Sequence, residues 1–104
     1  MKALWIIYDI VLDDQLIAML RNQGIEAFTR WPRLTGVGPV SGARYDDAIW
    51  PGANSVILTI QPDDTVAKML TRLQKLRNEV GSMTGLWAYT TGVQDVLAPP
   101  ESNE

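Results

Sequence analysis

The residues best equipped for chemistry gather in one Gly- and Pro-rich stretch, residues 35–53. Gly36, Gly38, Pro39, Gly42, Pro51 and Gly52 are interspersed there with Arg44, Tyr45, Asp46, Asp47 and Trp50. The glycines permit positive φ and close backbone approach, and Arg, Tyr and Trp anchor interfaces better than other residue types. Arg44, Tyr45 and Trp50 are therefore the candidate partner-binding residues. A connection of this length is rare inside a small domain and is usually functional or disordered. A catalytic use of the chain would have to draw on Asp9, Tyr8 or Asp47 as acid or base. That requires a carboxylate whose pKa is raised far above its usual range.

Two absences narrow the chemistry further. The 104 residues include no Cys and no His. Without Cys there is no disulfide, thiolate nucleophile, iron–sulfur cluster or Cys-ligated zinc. Without His the usual general base near neutral pH is missing, together with the commonest metal ligand. Ser/His/Asp, Cys/His and His-based metal hydrolysis are thus excluded. Any metal site would be all oxygen and would favour hard cations; none is assigned. Nine Lys and Arg against twelve Asp and Glu leave a net charge of −3. No basic surplus is available to displace counterions, which argues against nucleic acid as a partner and against polybasic membrane attachment. The apolar run that opens the chain stops at Asp9, too short for a signal peptide or a membrane span. A single domain over residues 1–97, cytoplasmic and not inserted in a membrane, is expected.

The elements that must position the loop follow from periodicity. Residues 3–10 are dense in β-branched and aromatic types and predict a first strand. Asp13 and Asp14 suit a helix start. Leu12, Leu16, Ile17 and Leu20 give the helical stripe, and Gly24 gives its stop. A second strand is expected over residues 26–34 and a third over 55–61. After Pro62, Asp63 and Asp64 open a second helix with the stripe Val66, Met69, Leu70, Leu73, Leu76 and Val80. A fourth strand covers residues 86–91, and residues 98–104 are expected to be disordered, having nothing to bury. The two halves align fifty residues apart, Ile6, Ile7, Ile10, Asp13 and Asp14 meeting Val56, Ile57, Ile60, Asp63 and Asp64. The order is that of an α+β, ferredoxin-like βαββαβ fold: a four-stranded antiparallel sheet with two helices on one face. With Ile6, Tyr8 and Ile10 toward the helices, Trp5 and Ile7 point away. The repeat puts Ile57 on that outer face too, and Leu86 or Trp87 joins it. Solvated sheet faces are normally polar, so this set predicts burial against another copy of the chain.

The same residues resemble the PII signal-transduction superfamily (nitrogen regulatory protein P-II-like), in a divergent, shortened-loop form. The resemblance covers about residues 3–97. It is carried by Leu12-Asp13-Asp14, by Gly24-Ile25-Glu26, by residues 29–38 (TRWPRLTGVG) and by residues 49–56 (IWPGANSV). It implies a homotrimer whose three sheets face a central core, and a flexible T-loop, about residues 35–53, that docks on a target protein such as a membrane transporter or an enzyme. It implies further that a small ligand, in many members an adenine nucleotide, sits in a cleft between subunits. That cleft would use Gly36, Val37 and Gly38 at the base of the loop and the turn from Gly81 to Gly85, with Trp87 as an aromatic wall. Backbone N–H groups in such turns can hold phosphate. The chain departs from the family pattern where cations are needed: Pro39 follows the glycine pair, Leu86-Trp87 follows the second turn, and no Arg or Lys occurs after Arg77. Weak or absent ATP binding is therefore expected. Arg33, Arg44 and Arg77 could reach in, but from positions outside the family pattern.

Other readings compete with a regulatory protein. One is a small enzyme of the dimeric α/β barrel type, using the carboxylate named above. Another is a stand-alone amino-acid-binding regulatory domain, although such modules normally sit beside a partner domain. RNA recognition by this topology needs aromatics on the third strand, and residues 56–60 (VILTI) offer none.

Overall fold

The computed structural model describes residues 1–39, 42–44, 46 and 52–97. Strand β1 (Lys2–Asp9) runs through a short 3-10 turn (Ile10–Leu12) into helix α1 (Asp13–Asn22). Then come β2 (Thr29–Leu34), a two-stranded ribbon of β3 (Gly36–Gly38) and β4 (Gly42–Arg44), and β5 (Asn54–Gln61). Helix α2 (Asp63–Val80), a second 3-10 turn (Ser82–Thr84) and β6 (Trp87–Gly92) complete the order. The main sheet has the strand order β2-β5-β1-β6, antiparallel throughout. This is the α+β ferredoxin-like fold, with the β3–β4 ribbon inserted between its second and third sheet strands.

Local chemistry explains where the elements begin and end. Helix α1 stops in a Schellman motif: Ile25 N–H reaches the Leu20 carbonyl, Gly24 N–H reaches that of Arg21, and Gly24 takes a φ of +76°. Ile25 is buried immediately beyond it. Residues 26–28 serve as connection, so β2 begins at Thr29 rather than at Glu26. The aspartate pairs do not cap by side-chain hydrogen bonds. Asp13 and Asp14, like Asp63 and Asp64, lie in the first turn of their helices, where carboxylates meet the positive end of the dipole. The side-chain cap belongs to Asp9, whose Oδ1 accepts from Val11 N–H at 3.0 Å.

The core lies between the sheet and both helices. Leu4, Ile6 and Tyr8 of β1 and Ile57 of β5 pack against Leu16, Leu20, Val66, Met69, Leu73 and Leu76. Ile57 therefore faces inward, directly opposite Ile6, and not outward as the fifty-residue repeat implies. Its outward neighbours are Val56 and Leu58, paired with Ile7 and Trp5. Leu86 is buried in the core, whereas Trp87 faces outward. The helical stripe of α2 holds except at Leu70, which is 37 % exposed. Edge strand β2 is irregular between Trp31 and Leu34, around Pro32, which has no N–H to donate, and Arg33, whose φ is +59°. The expected disorder of residues 98–104 falls outside the described residues.

Candidate functional site

A cleft of about 650 Å³ opens at the end of the sheet where the ribbon leaves it. One wall is Thr35, the whole of β3 and Pro39; the other is Gly85, Leu86 and Trp87, with Arg77 from α2. Ile7, Arg44 and Asn54 close the floor. Of the residues expected to hold a ligand, Gly36, Val37, Gly38, Gly85 and Trp87 thus share one cleft. Gly81 does not line it; it ends α2 with a φ of +86°. Gly36 leaves room for a neighbour: a Cβ there would lie 2.8 Å from Asn54 Nδ2, so a larger residue would have to displace that side chain. Asn54 Oδ1 is buried with no hydrogen-bond partner among the described residues.

The cleft has cations, but not at the family's positions. Arg44 and Arg77 both line it, and no acidic residue does among those described. Arg77 is braced by the Gln74 side chain at 3.1 Å and the Leu86 carbonyl at 3.5 Å. Arg44 is 7 % exposed. Its Nε donates to Asp9 Oδ2 at 3.2 Å and its Nη2 donates to the Met83 carbonyl. Arg44, expected as a docking residue, is thus turned inward from the loop in the single chain. Tyr45 and Trp50, the other expected docking residues, lie outside the described residues. Arg33 points elsewhere and pairs with Asp46 at 3.3 Å. Sequence reasoning missed the Asp9–Arg44 contact, which spans 35 positions and leaves no local signal.

The catalytic candidates are otherwise engaged. Tyr8 is fully buried and donates to Asp13 Oδ1 at 2.5 Å, while Arg30 holds Asp13 Oδ2 at 2.5 Å. Burial first, and then the neighbouring Asp13, push the Tyr8 hydroxyl well above its ordinary value of 10.0. It is a fixed donor near neutral pH. Asp9 serves Val11 and Arg44, and Asp47 lies outside the described residues. No cluster of three or more metal-ligating carboxylates occurs among the described residues, and none of their helices is long and apolar enough to cross a membrane.

The outer sheet face is strongly apolar. Trp31, Trp5, Tyr89 and Trp87 stack in a row across all its strands but β5, with ring centroids 6.3, 6.0 and 5.3 Å apart. Ile7, Val56, Leu58 and Ile60 fill the spaces between and beside them. A hollow of about 390 Å³ lies over Trp5, Ile7, Trp31 and Tyr89. Trp87 belongs to both this face and the cleft.

No protein-family model matches the sequence, and no curated protein matches it either. Solved structures do. CPII from Thiomonas intermedia K12, a nitrogen regulatory PII-like protein bound to ADP, AMP and bicarbonate, superposes with a TM-score of 0.73 at 20 % identity, covering 95 % of this chain and 94 % of that one. The fold is that of the PII-like proteins. The apo form of CPII gives 0.66 at 19 % identity, over 86 % of this chain and 85 % of that one. A PII-like signalling protein from Thermus thermophilus gives 0.62 at 23 % identity, over 86 % and 83 %. The PII-like fold thus spans nearly the whole chain.

Proposed function

We propose that the chain is a PII-like regulatory protein, not an enzyme, built as one domain over residues 1–97 and working as a cytoplasmic homotrimer. The observation that carries the reading is the convergence of β3 with residues 85–87. Segments almost fifty positions apart close a cleft with glycine backbone on both sides and Trp87 beside them. A similar fold, CPII, is described with ADP, AMP and bicarbonate. Trp87 and Ile7 also join the cleft to the apolar face, so burial of that face against a second subunit would wall the cleft from outside. In this reading the ligand is small and sits between subunits, and the loop, with Tyr45 and Trp50, docks on a target protein such as a transporter or an enzyme.

The cation count limits the ligand's charge. Asp9 offsets Arg44, and Pro39, Leu86 and Trp87 stand where further cations would be needed. A triphosphate loses charge-assisted bonds worth roughly 1.5–3 kcal/mol each. Calorimetric titration with AMP, ADP and ATP, with and without Mg²⁺, and with bicarbonate, tests this. ATP is expected to bind with a Kd above roughly 100 μM, and AMP or bicarbonate more tightly. Low-micromolar ATP binding would refute the charge argument, and no binding by any of the four would refute the cleft.

A further inference from the structure

Leu70 is the member of the α2 apolar stripe that the core leaves out, at 37 % exposed. Leu73, Gln74 and Arg77 follow it at spacings of three, four and seven, which puts the four on one side of the helix. That side faces Leu86, Trp87 and Ala88, and the two walls enclose a groove of about 190 Å³. The groove lies at the margin of the sheet, since β6 is an edge strand.

Arg77, Leu86 and Trp87 line both this groove and the larger cleft, so the guanidinium stands where the two meet. Its Nη2 donates to Gln74 Oε1 at 3.1 Å and its Nη1 to the Leu86 carbonyl at 3.5 Å. Both acceptors are neutral. They aim the guanidinium without offsetting its charge, as Asp9 does for Arg44. Beyond Arg77 the walls are chiefly hydrocarbon, from Leu70, Leu73, Leu86 and Ala88. An apolar slot with a cation at one end fits an anion that carries an apolar tail. A carboxylate matches a single guanidinium in charge and, through its two oxygens, in geometry.

We propose that the groove is a subsite of the cleft for an aliphatic carboxylate, with the carboxylate held on Arg77 and the chain lying between Leu70 and Ala88. The inference rests on the cleft being the ligand site, and it adds a selectivity for the length of the ligand's chain. A water takes up roughly 30 Å³ in the liquid, so the 190 Å³ of the groove holds about six groups of that size. That is a chain of about six carbons.

The test titrates the full chain by calorimetry with acetate, butyrate, hexanoate, octanoate and decanoate, and separately with AMP and bicarbonate. Affinity should rise about two- to fourfold per methylene as far as hexanoate or octanoate, and then level off. Leu70→Gln, at a position that does not line the cleft, should flatten the series and leave acetate, AMP and bicarbonate as in the parent. Arg77→Gln should weaken the whole series at least about tenfold, and Arg77→Lys should restore part of it. If affinity does not rise with chain length, or rises equally in Leu70→Gln, the groove is not a subsite. If AMP or bicarbonate binds and no carboxylate does, the cleft stands and the groove falls. If none of the probes binds, both fall together. If Leu70→Gln yields a smaller particle by light scattering, the groove is a contact between copies of the chain, and the ligand subsite is wrong.

Discussion

The two faces of the sheet differ less in chemistry than in what covers them. Inward, Leu4, Ile6, Tyr8 and Ile57 lie under α1 and α2. Outward, Trp5, Ile7, Val56 and Leu58 pair across β1 and β5 in the alternate register positions, with Trp31, Trp87 and Tyr89 on the strands beside them. A sheet solvated on one side normally alternates apolar with polar; here both sides are apolar. Trp31, Trp87 and Tyr89 are 41, 51 and 42 % exposed in the single chain. The fold therefore carries two cores, one closed by its own helices and one that only a further copy of the chain closes in the arrangement proposed. Tryptophan and tyrosine suit the second use, since they bring large area at little entropy cost.

The largest effect should come from placing a charge in the second core. Trp5 is the centre of the aromatic row, stacked on Trp31 at 6.3 Å and on Tyr89 at 6.0 Å. Trp5→Lys would bury an unpaired ammonium in each subunit of an assembly, at a cost of several kcal/mol per site. In the isolated chain the same lysine reaches water. Light scattering should give three chains' mass for the parent and one chain's for the variant, with far-UV circular dichroism unchanged. A variant that stays trimeric would show that this face is not the interface, and a parent that is monomeric at micromolar concentration would show that the second core is never closed.

A smaller effect belongs to the first core and can be read by pH. Tyr8 donates to Asp13 from full burial, and its pKa is raised above the unfolded value of 10.0. A raised pKa means that the folded state holds the proton more tightly than the unfolded state does. Tyr8 therefore contributes stability that is fully present below about pH 10 and is lost as pH rises through the folded value. Tyr8→Phe should cost about 1–3 kcal/mol at pH 7, because half of Asp13's hydrogen bonding is removed in a partly buried site. The same variant should flatten the fall in denaturation midpoint between about pH 9 and 11. An unchanged slope would mean that the hydroxyl is not ionised by unfolding.

Most of the first core was legible in the sequence, because it is local. Strand β1, the stripes of both helices and the Gly24 stop are patterns within a dozen residues. The fold class followed from their order. The second core was legible only in Trp5, Ile7 and Trp87; Trp31 and Tyr89 become visible once the register sets them beside Trp5. The cleft was reached only by way of the family resemblance, which named Gly36, Val37, Gly38, Gly85 and Trp87 of its lining together with Gly81, which does not line it. Arg44 carries no local pattern, because what turns it inward is a carboxylate 35 positions away and a carbonyl 39 positions away. Ile57 was misplaced for a definite reason. The two halves match at their helix starts, but β1 reaches its helix through the 3-10 turn Ile10–Leu12, whereas β5 reaches its helix through Pro62 alone. Counted back from the helix starts, the inward positions Leu4, Ile6 and Tyr8 of β1 correspond to 54, 56 and 58, but the buried positions of β5 are Ser55, Ile57 and Thr59. The strands are out of phase by one residue, and with a side-chain period of two that slip exchanges the faces.

That slip yields the smallest and most local comparison, made within β5. Ile57 and Ile60 are three positions apart, so they point to opposite faces. Ile57 is fully buried under the helices, whereas Ile60 is 40 % exposed on the outer face near its edge, paired with Ala3. Removing one methylene from each isolates coverage from chemistry. Ile57→Val leaves a void that the surrounding Leu and Met side chains only partly fill, at about 0.5–1.5 kcal/mol. Ile60→Val has solvent beside it in the single chain, so in the Trp5→Lys background it should change stability by less than about 0.5 kcal/mol. Urea unfolding of both variants in that background measures the difference without any contribution from assembly. Equal costs at the two positions would mean that the outer face is closed within the chain itself. A larger cost at Ile60 would restore the phase that the fifty-residue repeat implies. If Ile60→Val is neutral in the Trp5→Lys background but lowers stability in the parent, that difference measures how far the second core extends toward the sheet edge.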